Sequence, residues 1–119
     1  MPTERRFAAA LMQGHKGITA VIVPFDPKDA WALEPLMLDD RRYGWLVRGT
    51  MNGAPFDGWI GHRWGRHFIM VDAELRRAAS VSVGDVIDVV IKPTKSQKAL
   101  AIAREQAKLT TAPGRKAKR

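Results

Sequence analysis

Ser82-Val83-Gly84-Asp85-Val86-Ile87-Asp88-Val89-Val90-Ile91 is the stretch on which the fold turns. Its run of Val and Ile fits a pleated, half-buried surface and predicts a strand. Gly84 tolerates positive φ at little steric cost, and the Asp85 carboxylate can accept hydrogen bonds from nearby backbone N–H groups. Helix-forming residues precede the pair. The chain is therefore expected to leave a helix, bend sharply at Gly84-Asp85 and enter a buried strand, a junction that closes small barrels.

Working outward, Ala73 to Ala79 forms the expected preceding helix, with Asp72 at its N-cap. His67 to Val71 is a strand, and Gly61 to Arg66 is a glycine-bearing loop. Asn52-Gly53 is the strongest local signal, because both residues tolerate the positive φ of a type I′ hairpin turn. It joins strands at Tyr43–Met51 and Pro55–Ile60. Leu36 to Arg42 is a loop. Asp26-Pro27 starts a short helix, with Asp at N-cap and Pro at N1, that ends before Pro35. Arg6–Gln13 and Ile18–Val23 form a first strand pair around the turn Gly14-His15-Lys16-Gly17.

The two halves share one order of elements. Residues 7–51 and residues 54–91 each run strand, glycine loop, strand, short helix, strand. The expectation is a mainly β fold: a six-stranded barrel with pseudo-two-fold internal repeat and two short capping helices. Closing the sheet removes exposed edges. Past Lys92-Pro93 the character changes. Ser96 caps a helix through Leu109 whose apolar face is mostly alanine and offers little area to bury. Thr110 to Arg119 is expected to be disordered. The organisation is then a barrel domain over 5–92 and a basic helical or disordered tail over 93–119.

Composition narrows the chemistry. The chain of 119 residues is 45% hydrophobic and 27% charged, as a single globular domain is. It has no cysteine, which excludes disulfides, thiol catalysis and cysteine-based zinc sites. No apolar run has membrane-spanning length, so the expectation is a cytoplasmic protein without a membrane role. The formal charge of +8 lies wholly in the tail. Residues 1–91 hold 11 Lys+Arg and 11 Asp+Glu, whereas 92–119 hold nine bases and the single acid Glu105.

Four segments in order carry a family likeness: Ile22-Val23-Pro24 before the capped helix, Val47-Arg48-Gly49-Thr50-Met51-Asn52-Gly53-Ala54-Pro55-Phe56, Leu75-Arg76-Arg77-Ala78, and Val83-Gly84-Asp85-Val86-Ile87-Asp88-Val89. Over roughly residues 5–92 the chain resembles a bacterial and archaeal domain of unknown function, taken at the scale of one barrel domain. That domain is found alone or fused to bacteriocin-protection (YdeI/OmpD-associated) segments. The resemblance implies a double-split β-barrel, the fold that AbrB-type transition-state regulators share as swapped dimers. It supplies no catalytic residues.

His62-Arg63-Trp64-Gly65-Arg66-His67 is the densest polar and aromatic cluster. As a hairpin tip it offers Arg63 and Arg66 to a phosphate and Trp64 to a base; as plain structure it is a solvated loop with Trp64 folded on the rim. His15 and Lys16 lie in the repeat-equivalent loop, so the two loops frame a shared groove if they lie on one side. Arg48 either lines a pocket for an anion or pairs with Asp57, its cross-strand partner if Asn52-Gly53 is the turn; the register favours the pair. The candidate binding residues are thus Arg48, His62, Arg63, Trp64, Arg66 and His15. His15, His62 and His67 have no carboxylate beside them in sequence, so neither a metal nor a cofactor is expected. Asp85 caps its own turn and Asp88 points to the opposite strand face, which argues against an acid pair. Ser80 and Ser82 lack a neighbouring histidine, and no glycine-rich phosphate loop is present. Trp31 and Trp45 are expected in the core, and Trp59 partly exposed.

The sequence therefore points to a non-enzymatic binding module with an unknown protein or small-molecule partner, as monomer or homodimer. The alternatives are a DNA-associated regulator using tail and hairpin loops, with non-specific nucleic-acid binding through the tail, and a binder of small anionic ligands.

Overall fold

Leu11 is where the sheet closes. In the computed structural model, which describes residues 4–63 and 65–110, the first run of chain is bent there into β1 (Arg5–Ala10) and β2 (Met12–Gln13). Leu11 is buried, its N–H donates to the Asp85 carbonyl at 2.9 Å, and its carbonyl accepts from the Gly84 N–H at 2.8 Å. The expected bend at Gly84-Asp85 is present, with Gly84 at φ +99 and the Asp85 carboxylate accepting from the Ser82 N–H at 2.8 Å.

The remaining elements are β3 (Thr19–Val23), α1 (Pro27–Trp31), β4 (Leu36–Met37), β5 (Tyr43–Met51), β6 (Ala54–Arg63), β7 (Arg66–Met70), α2 (Ala73–Ala79), β8 (Val86–Pro93) and α3 (Gln97–Ala107). The strand order is β1-β8-β5-β6-β7-β3-β2, with β4 beside β5, and every pairing is antiparallel. Because β1 and β2 are one bent run, the sheet begins and ends on the same segment and is nearly closed.

The chain is mainly β, as expected; among the described residues it has eight strands instead of six, and both short helices are present along with the helix after Ser96. Two local causes account for the added strands. The first run changes partner at Leu11, from β8 to β3, and so divides. Within the expected loop 36–42, Leu36 and Met37 pair with Gly44 and Tyr43.

Local chemistry explains the caps and the main turn. Asp26 and Asp72 cap α1 and α2 through hydrogen bonds from the N–H groups of Lys28 and Leu75. Asn52 (φ 50) and Gly53 (φ 84) form the expected hairpin turn, and the register places Met51 opposite Ala54. The expected loop 61–66 is overturned. β6 continues to Arg63 and β7 starts at Arg66, so Gly61 lies inside a strand. A Cβ on Gly61 or on its register partner Gly44 would come within 2.8 or 2.6 Å of the Trp59 ring, so the glycines make the flat shelf on which that indole lies.

The inner face of the barrel carries the main core, including Val21, Val47, Ile60, Ile69, Ile87, Val89 and Ile91. Trp45 is buried in it and Trp31 packs at its edge. The outer face carries a second layer, where Leu46, Trp59 and Met70 lie in one cluster with Ala99, Ala103 and Ala107 of α3. Trp59 is therefore not partly exposed: it is 2% exposed, and its Nε1–H donates to Gln106 Oε1 at 2.9 Å. The helix capped by Ser96 is present, and its alanine face is packed on the sheet. Alanines spaced by four let a helix backbone approach closely, so a small face covers large strand side chains. The expectation of disorder lies, from residue 111 on, outside the described residues. Among the described residues no helix is long and apolar enough to cross a membrane.

Candidate functional site: the hairpin groove and the barrel mouth

Strand alternation divides the cluster at 62–67 between two faces. Across β6 and β7, His62 pairs with His67 and Arg63 with Arg66, and Gly65 has φ +76. The histidines face the barrel mouth, and the arginines face the outer side.

At the mouth the imidazoles of His62 and His67 lie 4.5 Å apart with a 37° tilt. Tyr43 Oη is 3.1 Å from His62 Nδ1, and its ring stacks on His62. The Trp45 ring stands edge-on to His67, and Asp26 Oδ1 lies 3.7 Å from His67 Nε2. These groups, with the Lys28–Glu34 ion pair, line a cleft of about 230 Å³. Burial holds His67 below its ordinary pKa, the charge of His62 acts in the same direction, and Asp26 opposes both. Imidazole lone pairs lie in the ring planes, so two tilted, near-stacked rings do not converge on one ion. Among the described residues no group of three or more His, Asp or Glu side chains is placed to hold a metal.

On the outer side a groove of about 550 Å³ runs between the β2–β3 hairpin, β7 and the end of α3. Its floor is the outward row of β3 and β7: Ala20 opposite Met70, and Ile22 opposite Phe68. Met12 and Leu109, 50% and 52% exposed, overhang it. Arg63 and Arg66 line it on the β6–β7 side, and Gln13 and Gly14 on the β2–β3 side. Among the described residues none of the lining is acidic.

The two hairpins at 13–17 and 62–67 thus border one groove. Arg63 is half-buried and Arg66 exposed. His15 lies in the short 3-10 turn His15–Gly17, which follows the lining residue Gly14 in the chain. Trp64 lies outside the described residues. Arg48 is not among the residues lining the groove or the mouth: it faces Asp57 in register, with both contacts at 3.4 Å. Asp57 Oδ2 also accepts from Ser96 Oγ at 3.0 Å, so this pair anchors the start of α3. Sequence reasoning missed the groove floor and Tyr43. The signal for the floor was present, since Ile18-Thr19-Ala20-Val21-Ile22-Val23 is apolar on both strand faces and only one face can enter the barrel.

The model of a family described as a domain of unknown function, DUF1905, matches residues 7–91. No curated protein matches the chain. The matched stretch ends within β8, so α3 lies beyond it.

Proposed function

The chain belongs to the DUF1905 family, a domain of unknown function, and we propose on that premise that it is a cytoplasmic, non-enzymatic binding module on a double-split, AbrB-like barrel, whose groove takes a small ligand with an anionic group. Support for the double split is the way each half divides its first run. β1 and β2 serve β8 and β3, while β6 serves β5 along most of its length and β7 at its end. The equivalent strands β3 and β7 pair with each other, as do β5 and β8.

The observation that carries the ligand reading is the pair Arg63 and Arg66 beside an apolar floor, with no acidic residue in the lining among the described residues. A guanidinium at the edge of an apolar trough gives an anion charge-assisted hydrogen bonds while the floor takes the rest of the ligand. The same floor argues against a duplex, whose phosphates gain nothing from Ile22, Phe68 and Met70.

Titration of the full chain with 1-anilinonaphthalene-8-sulfonate, an apolar ring system with one sulfonate, tests this reading. Saturable fluorescence enhancement on the native protein, lost in the R63A/R66A double variant, is expected. Enhancement that is absent, or indifferent to both arginines, overturns it.

A further inference from the structure

The groove has a direction. On its floor the β3 row runs from Ile18 through Ala20 to Ile22, and the β7 row runs antiparallel beside it from Met70 to Phe68 and on to Arg66. Ile22 is four steps of extended chain beyond Ile18, roughly 13 Å at about 3.3 Å per residue. The charged groups of the lining, Arg63 and Arg66, stand together beyond Phe68. At the opposite end are Gln13 and Gly14, which carry no charge. Ala20, with a small side chain between two isoleucines, makes the central depression, flanked by Met12 and Met70 in register.

We infer that the occupant is a single unbranched aliphatic chain ending in a carboxylate, with the carboxylate at Arg63 and Arg66 and the chain along the Ile18–Ala20–Ile22 row. This rests on the reading of the groove as an anionic-ligand site. Three observations select this chemistry. The floor is two adjacent strand rows running lengthwise from Ile18 to the arginines, which suits an unbranched chain laid along them. Among the described residues the groove's lining is mainly aliphatic, with Met12, Met70 and Leu109 beside Phe68, and flexible side chains of this kind mould to a chain better than to a rigid ring. Among the described lining residues charge sits at one end, which matches a ligand with one polar terminus. The chain is stabilised by removing methylenes from water, about 0.8 kcal/mol for each one fully buried, and the arginines fix its polarity.

The test uses the full chain and dodecanoate labelled with carbon-13 at its carboxyl group, kept below its micelle concentration. The carboxyl resonance is expected to shift saturably with a single equivalent. Dodecyltrimethylammonium, with the same tail and the opposite charge, is expected to bind at least about tenfold more weakly. R63A/R66A is expected to lose about tenfold in affinity, and Ala20→Phe, which fills the depression from the outer face, to lose saturable binding. Should Ala20→Phe fail to fold, the double arginine variant at rim positions decides the matter. Equal binding of both detergents, or wild-type affinity in the variants, overturns the inference. So does co-sedimentation with anionic phospholipid vesicles without binding of monomeric dodecanoate. If the sulfonate probe binds through the arginines and dodecanoate does not, the chain-like ligand falls and the anionic-ligand reading stands. If neither binds, both fall.

Discussion

Asn52 does more than turn a hairpin. It holds φ 50, donates its N–H to the Asp88 carbonyl at 2.9 Å, and accepts from the Asp88 N–H through Oδ1 at 2.9 Å. Its Nδ2 reaches the Ala79 carbonyl at 3.4 Å. One side chain thereby ties the β5–β6 turn to β8 and to the end of α2. Asn52→Gly keeps the backbone conformation and removes the side-chain bonds, so it is expected to cost about 1–2 kcal/mol in chemical denaturation. Asn52→Ala adds the strain of a left-handed alanine and is expected to cost about 1 kcal/mol more. His67 gives a prediction in pH. Its folded pKa lies below the unfolded value near 6.5, so the folded chain binds fewer protons there. The stability this creates is complete above about 6.5 and is lost as pH falls through the window between the two values. Groups facing it are His62 from β6, Tyr43 and Trp45 from β5, and Asp26 from the α1 cap. The midpoint of urea unfolding is expected to fall on acidification across that window, less so in His67→Phe. At this scale the sequence was legible where partners are near. Counting outward from the Asn52-Gly53 turn found Arg48 opposite Asp57. The Asn52 bonds, to residues 27 and 36 positions away, left no local trace.

Elements were legible where their signals are local and misleading where a residue serves packing instead. Asp26-Pro27, Asp72 and Ser96 marked three helix starts, because a cap is chemistry within one turn. Gly61 was misread as a loop glycine, since nothing in its neighbourhood shows that an indole must lie across it. The helix α3 was read as part of a charged tail for a related reason. Alanine gives a weak periodic signal, yet Ala99 and Ala103 are fully buried beside Trp59. An Ala103→Asp substitution places an unpaired carboxylate in that layer and is expected to detach the helix, at a cost of roughly 3 kcal/mol or more. The readout is the Trp59 indole N–H resonance, which should lose its protection from exchange with solvent as the bond to Gln106 breaks. The β5–β8 amides should stay protected. An unchanged indole resonance would show that α3 does not hold this layer. Gly49 tests the sheet itself: a Cβ there would collide with the Val90 carbonyl oxygen, so Gly49→Ala is expected to cost about 3 kcal/mol by forcing β5 and β8 apart.

At the scale of the whole molecule, charge and site separate. Residues 1–91 are neutral in sum, and the excess lies in 92–119. Part of it rides on α3 as Lys98 and Arg104, and part follows Thr110 as Arg115, Lys116, Lys118 and Arg119. Contacts from spread bases are sequence-blind, and their affinity falls with a slope of about 0.9 per phosphate neutralised on a log–log salt plot. A chain cut at Pro93 cannot test this, because it removes α3 and uncovers Trp59, Leu46 and Met70 together. A chain ending at Thr110 keeps both layers. It is expected to bind a labelled duplex more weakly than the full chain and with a shallower salt slope, with no difference between unrelated sequences. R63A/R66A in the full chain is expected to leave that slope nearly unchanged while abolishing the sulfonate signal. The opposite pattern, duplex affinity lost with the arginines and retained in the shortened chain, would make the hairpin face a nucleic-acid surface. Fold alone cannot choose between these outcomes, since one barrel frame serves unrelated functions. The choice falls to the groove floor, where Ile22, Phe68 and Met70 give an aliphatic chain a surface that a phosphate backbone cannot use.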